Sequence, residues 1–355
     1  MVTGAIRYGF GYQGSKNKIC RWLMDILPRG KRFVDLFGGG FAVSHAALLS
    51  GKYKKVYYNE LNANVVEIVR RYILNREPVP KEWISREDFF RLKDENPLIK
   101  LFWSFNQNGN NYLYSQQVEP WKKALHFAVV FQDYSLIDEY DTRLQSIIDD
   151  ETIEKRRLNC KKGNGLLYGI IKNAKRLDEL DFKYSPKCKP NNTVAPRKDI
   201  LDFLKIKSLQ SLERLERLQS LERLESLKRL QSLDTNDLQV NCGSYLDYTY
   251  EEGDVVYCDP PYENTTQEGF SGSKKESGFD SKQFYEWVYS RPFQVFFSSY
   301  EISYDRFYEL DKIEKTNNFT SLGGGKKSIE RLYSNKPFEG AKKPKQTTIF
   351  DFLNS

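Results

Sequence analysis

Apolar and polar positions alternate between two periods along this chain. The run Lys31-Arg32-Phe33-Val34-Asp35-Leu36-Phe37 is short and apolar at its centre and ends at Gly38-Gly39-Gly40, the form of a buried strand entering a tight turn. Residues 42–49 follow at once with helical composition, Val56-Tyr57-Tyr58-Asn59 repeats the strand pattern, and residues 61–74 repeat the helical one. Strand, helix, strand, helix in that order predicts the opening of a doubly wound parallel sheet. The periodicity weakens from about 78 to 200, where aromatic, Asn, Lys and Arg residues dominate, and the prolines at 186, 190 and 196 among basic residues read as a loop. The α/β pattern returns near 238. Val255-Val256-Tyr257-Cys258 is a strand running into Asp259-Pro260-Pro261-Tyr262, Phe284 to Val288 is helical in composition, and Val295 to Tyr300 is a further strand. Residues 336–355 read as a basic linker and a short apolar tail.

Residues 209–233 are a low-complexity repeat with leucine at every third position, from Leu209 through Leu221 to Leu233. In an α-helix a step of three turns by about 300°, so the leucines drift around the cylinder and form no single stripe. A 3₁₀ helix has the matching period but seldom runs so long, and a short stacked solenoid is the other ordered form. The favoured expectation is an expanded repeat acting as a spacer.

Composition narrows the class. With 355 residues, 39% of them hydrophobic, the chain can bury one large core or two modest ones. No apolar run approaches the roughly 18 residues of a membrane span, and the N-terminus carries no signal-peptide pattern. Cys20, Cys160, Cys188, Cys242 and Cys258 form no CxxC pair, which fits free thiols in the cytoplasm. His45 and His126 are the only histidines, so a four-ligand zinc site around Cys160 and Cys188 is hard to assemble and no metal is expected. The formal charge of +7 favours a polyanionic partner.

Two segments carry candidate chemistry. A strand that ends in Gly38-Gly39-Gly40 before a helix lets backbone approach a ligand, and Glu60, after the second strand, can accept hydrogen bonds from both ribose hydroxyls of a nucleoside cofactor. The glycines do not make G-x-G-x-x-G, so a dinucleotide fits less well. In Asp259-Pro260-Pro261-Tyr262 the prolines stiffen the chain and donate no hydrogen bond. The Pro260 carbonyl and the Asp259 carboxylate can together hold an exocyclic amino group with its lone pair aimed at an electrophilic methyl. Tyr262 offers a ring on which a flipped base stacks.

With Tyr12-Gln13-Gly14-Ser15-Lys16 ahead of Asp35-Leu36-Phe37-Gly38-Gly39-Gly40, then Asn59-Glu60, then Asp259-Pro260-Pro261-Tyr262, the chain resembles the Dam-like, alpha-group DNA adenine N6-methyltransferases. Gly278-Phe279-Asp280 and the Ser298-Ser299-Tyr300 strand end are similar too. The resemblance covers roughly residues 5–77 and 238–335, and more loosely 103–122. It implies a Rossmann-like S-adenosylmethionine-dependent sheet in 1–77 and 238–340, with an inserted, mainly helical target-recognition domain in 78–203. The leucine repeat, 204–237, is extra, and 341–355 is a flexible tail. It implies that Asp259, Pro260, Pro261 and Tyr262 are catalytic. Tyr12, Lys16, Asp35, Phe37, Gly38, Gly40, Glu60 and Tyr245 would hold S-adenosylmethionine, and double-stranded DNA would be methylated by a monomer. Where the family often has Gly-Asp-aromatic, this chain has Gly243-Ser244-Tyr245, so an acid contact to the cofactor adenine would fall to Asp247. The competing readings are cytosine N4 or RNA adenine as acceptor, or an inactive DNA-binding relative. In the tail, Gln346, Ile349, Phe352 and Leu353 have the spacing of a sliding-clamp-binding peptide.

Overall fold

The computed structural model describes residues 6–12, 14–116, 118–139, 143–160, 218–262, 279–300, 302, 306–317 and 326–339. The clamp-like tail, Gly278, Gln13, Cys188 and the leucines from 209 to 215 lie outside these residues. The chain divides into two units, Met1–Val79 with Ser226–Ser355, and Pro80–Glu225.

The first unit is built on seven strands: β1 Gly30–Asp35, β2 Tyr53–Glu60, β3 Leu238–Cys242, β4 Asp254–Cys258, β5 Val295–Ser299, β6 Tyr308–Asn317 and β7 Lys326–Ser334. Their order is β3-β2-β1-β4-β5-β7-β6. The first five run parallel, while β7 is antiparallel to both β5 and β6. Consecutive apolar residues make the central strands. Phe33 and Val34 of β1 and Val256, Tyr257 and Cys258 of β4 are all buried, as expected where helices cover both faces of a parallel sheet. The chain steps from β1 outward through β2 and β3, then restarts at β4, so the topological switch lies between β1 and β4. Asp35 is level with Tyr58 of β2 and Tyr257 of β4, which sets the turns after β1, β2 and β4 along one carboxyl edge. This is a Rossmann-like methyltransferase sheet.

Four helices belong to this unit alone: α1 Cys20–Ile26, α2 Ala42–Leu49, α3 Ala63–Ile68 and, later in the chain, Ser281–Tyr289. The helix expected over 61–74 is α only as far as Ile68, and continues as a wider π turn over Val69–Leu74. Under β4 and β5, Phe284, Tyr285, Trp287 and Val288 pack on Leu36, Phe297, Phe307 and Tyr333.

The described residues of the second unit are helical: α4 Arg86–Leu92, α5 Pro97–Phe102, α6 Glu119–Phe131, α7 Ser135–Asp138, α8 Arg143–Ile148 and α9 Ile153–Asn159. Ser85 and Asn96 cap α4 and α5 by accepting from backbone N–H groups of the first turn. Trp83 stacks on Tyr114 and meets Trp103 edge-on, centring an aromatic core. Between α5 and α6 a bridge from Ser104 to Tyr112 closes a loop that buries Trp103 and Gln107 and exposes Phe105, Asn106, Asn110 and Asn111.

Helix α10, Gln219–Leu230, straddles the division between the units, which falls inside the leucine repeat. The described part of the repeat is therefore not a spacer. Leu218, Leu221, Leu224, Leu227 and Leu230 are each no more than 3% exposed. The backward drift of about 60° per leucine, which forbids one stripe, lets successive leucines bury different sides of the helix. In the second unit Arg223 donates from one Nη1 to the carbonyls of Phe102 (2.7 Å) and Ser104 (2.9 Å), and in the first Arg229 donates to the Gly9 carbonyl (3.0 Å). Helix α11, Ser281–Tyr289, is capped by Asp280. Among the described residues no helix is long and apolar enough to cross a membrane.

Candidate active site

The turn after β1 is held from two sides. Gly38 N–H donates to the Asn59 carbonyl (2.8 Å), Tyr58 Oη donates to the Gly39 carbonyl (2.8 Å), and Gly39 N–H donates to Glu60 Oε2 (2.9 Å). The glycines serve the protein's own packing, a correction to the expectation that they clear room for a ligand. A Cβ on Gly38 would lie 2.1 Å from the Tyr58 ring, and one on Gly40 would lie 2.5 Å from Tyr12 Cβ and 2.8 Å from the Phe10 carbonyl. Asn59 ties three strand ends together, donating to the carbonyls of Leu36 (3.1 Å) and Gly243 (3.0 Å) and accepting from Asn241 (2.7 Å).

Two carboxylates flank this turn. Glu60 also accepts from Asn62 N–H at Oε1 (2.8 Å), and burial raises its pKa against those hydrogen bonds. Asp35 is 1% exposed; Oδ2 accepts from Ser44 Oγ (2.7 Å), while Oδ1 is buried without a hydrogen-bond partner among the described residues. Burial pushes the Asp35 carboxyl up to about 7, with the Ser44 hydrogen bond opposing and the charges of Asp259 and Glu60 adding. Beside them Phe37 stacks on Tyr245 with ring centres 5.3 Å apart, and Phe279 meets Phe37 edge-on. Ser244, in place of an acid, accepts from Leu246 N–H and caps the turn that carries Tyr245; Asp247 is exposed.

The end of β4 carries the second cluster. Asp259 Oδ1 lies 2.6 Å from Lys16 Nζ, which is also 3.0 Å from Glu330 Oε1. Ser298 Oγ donates to Asp259 Oδ1 (3.3 Å) and pairs with Tyr257 Oη (2.7 Å). Tyr262 Oη donates to Glu330, and Lys16 Nζ sits 4.6 Å from the centre of the Tyr262 ring. Pro260 is buried, and Pro261 and Tyr262 are half-buried. Burial alone would lower the Lys16 pKa, but Asp259 and Glu330 outweigh it and hold the ammonium above the usual lysine range. One cation between two carboxylates leaves the cluster negative, suited to positive charge developing on a nearby nitrogen.

Residues 12–146 match the family model of the D12 class N6 adenine-specific DNA methyltransferases. The chain belongs to this class. The matched segment includes Lys16, the glycine turn and Glu60, while the Asp259–Tyr262 tetrapeptide lies beyond it. No curated protein matches the chain. The D12 methyltransferase thus has Tyr12, Asp35, Phe37, Gly38, Gly40, Glu60 and Tyr245 in or beside the turns after β1, β2 and β3. Lys16 stands apart from them, on Asp259. Glu330 and Ser298 were not anticipated from sequence. The available signal for Glu330 was an acid two positions from Leu332 on one face of a strand, a pattern that a solvated edge shares.

The Asp35 shift predicts a pH dependence of stability. Its folded pKa is raised, so its contribution is fully present below the unfolded value near 4 and is lost as pH rises through about 7. Melting temperature measured between pH 4 and 8 is expected to fall over this interval and to flatten in Asp35→Asn. An unchanged slope in that variant assigns the dependence elsewhere.

Proposed function

We propose that this enzyme transfers a methyl group from S-adenosylmethionine to N6 of an adenine flipped out of DNA. The observation that carries the reading is the rigid Asp259-Pro260-Pro261-Tyr262 segment at the end of β4, beside the switch point, with Asp259 next to Tyr262. The residues after β1 and β2 fit the cofactor. The unpaired Asp35 Oδ1 is a site for its cationic amino group, Glu60 for the ribose hydroxyls, and Phe37 with Tyr245 for its adenine ring. When bound, S-adenosylmethionine supplies an electrophilic methyl on a sulfonium centre.

The protein's own groups do the orienting. Asp259 accepts one N6–H and the Pro260 carbonyl accepts the other, aiming the nitrogen lone pair at the methyl. The Tyr262 ring stacks on the flipped base, worth roughly 1–3 kcal/mol, comparable to the cost of extruding it. Attack precedes proton loss, so Asp259 acts as an acceptor that need not be a strong base. We assign DNA recognition to the second unit, where the exposed Asn106, Asn110 and Asn111 offer amides of the type that reads adenine edges, and Phe105 offers a stacking face. The tail at 346–353 is the proposed tether to a sliding clamp, which would raise local concentration at replicating DNA.

Glu60→Ala is expected to weaken S-adenosylmethionine binding by roughly 1.5–3 kcal/mol, about 10- to 100-fold in Kd, through loss of charged hydrogen bonds. Calorimetric titration reads this, and an unchanged Kd removes Glu60 from the cofactor site. Methylation-sensitive long-read sequencing of DNA from cells expressing the chain tests the whole reading. N6-methyladenine within one recurring sequence supports it, and unmodified adenine throughout refutes it.

A further inference from the structure

Lys16 holds the two places that the target base needs. Its ammonium is bonded to Asp259 Oδ1, the oxygen assigned to the N6 amino group, and it lies over the Tyr262 ring on which the base would stack. The lysine must leave both for methyl transfer to proceed. It is 5% exposed, so withdrawal without a second anion would leave a buried charge unpaired. Glu330 is that second anion. It is fully buried, already contacts Lys16 Nζ at 3.0 Å, and accepts from the Tyr262 hydroxyl.

The fold explains how an acid from a distant segment arrives here. Because β7 runs antiparallel to β5, with Ser299 level with Arg331, Glu330 comes next to the carboxyl end of β5. Ser298 of β5 bonds Asp259 from the same edge, and the Tyr262 ring meets Tyr300 edge-on at 4.6 Å. Asp259 and Glu330 therefore approach Lys16 from two neighbouring parts of one sheet.

We propose that Glu330 is a positioning residue that takes Lys16 off Asp259 when the target amino group enters, so that a lysine shared by two carboxylates becomes a lysine held by Glu330 alone. The inference rests on Asp259 being the acceptor for N6. In it the ammonium guards the site, keeping the Asp259 carboxylate paired until a base displaces it. Glu330 retains the lysine nearby, and through the Tyr262 hydroxyl it steadies the ring for stacking. No proton or bond is exchanged in the swap; one ion pair is replaced by the substrate's N–H bond while the other persists.

The test is single-turnover methylation of a DNA substrate by the full chain, at saturating DNA and S-adenosylmethionine. Glu330→Gln keeps the shape but not the charge, so it leaves Lys16 on Asp259. The rate constant is expected to fall about 100-fold, the scale of a misplaced reacting group. Cofactor Kd and melting temperature should stay unchanged, a split that a purely structural role would not give. Glu330→Asp, which retains the carboxylate, is expected to recover most of the rate. In a Lys16→Met background Glu330→Gln should add little further loss, because no lysine is left to withdraw. A wild-type rate in Glu330→Gln, an Asp variant as slow as the Gln variant, or equal losses with and without Lys16 each overturn the swap. Asp259→Ala in the same assay separates the two levels. Loss there alongside a wild-type rate in Glu330→Gln leaves the acceptor role standing and removes the swap, whereas a wild-type rate in Asp259→Ala removes both.

Discussion

Asp259→Ala is expected to reduce methyl transfer by at least about 100- to 1,000-fold, the range seen when one preorganised polar contact to a reacting centre is removed. DNA binding and S-adenosylmethionine binding should persist. The side chain is 17% exposed, so its truncation opens no sealed core cavity. Lys16 keeps Glu330 at 3.0 Å and is not stranded as an unpaired buried charge. What disappears is the oxygen that fixes the amino group, together with the ligand of Ser298. Methyl incorporation, gel retardation of DNA and cofactor titration on one preparation separate the two effects. Full activity in this variant would take Asp259 out of the mechanism.

The second large effect is expected from Gly38→Ala, on stability. The added Cβ would meet the Tyr58 ring at 2.1 Å, and that ring has no room to withdraw. Tyr58 is fully buried, meets Phe41 at 5.6 Å between ring centres, and its hydroxyl is tied to the Gly39 carbonyl of the same turn. Relief therefore requires backbone movement in the turn that also presents Gly39 N–H to Glu60. Overpacking of this kind costs roughly 1–3 kcal/mol and sometimes more. A clear drop in melting temperature with weakened cofactor binding is the expected result. A variant as stable as the parent would show that Tyr58 can yield.

What the sequence revealed depended on how each segment is buried. β1, β2, β4 and β5 stand out because their centres are covered on both faces and their apolar residues run consecutively. β3, with Leu238 its only buried residue, and the charged β6 and β7 carry no such run, so the antiparallel edge was not foreseen. In the second unit most helices span only four to seven residues, too short for a helical period to show against their aromatic packing. The leucine repeat misled for a different reason. A three-residue period argues against a one-sided helix, but α10 buries leucines on several sides.

The site divides in the same way. Lys16, the glycine turn, Glu60 and Asp259 to Tyr262 lie at strand ends or in turns where sequence neighbours act together, and such groups read as motifs. Glu330 and Ser298 act across strand pairings, and Asn59 joins three strand ends, so their partners are fixed by topology. The apparent purpose of the glycines also changed, because Tyr58 and Tyr12 rather than a ligand occupy the space that a side chain would need.

The central claim is methyl transfer to adenine N6 in DNA, and isotope tracing tests it most directly. Purified chain is incubated with DNA and S-adenosylmethionine labelled in the methyl group, and the DNA is digested to nucleosides and resolved by mass. The account predicts label in N6-methyladenine, with none after the Asp259→Ala substitution. Label in N4-methylcytosine, or label incorporated only when RNA replaces DNA, would contradict it.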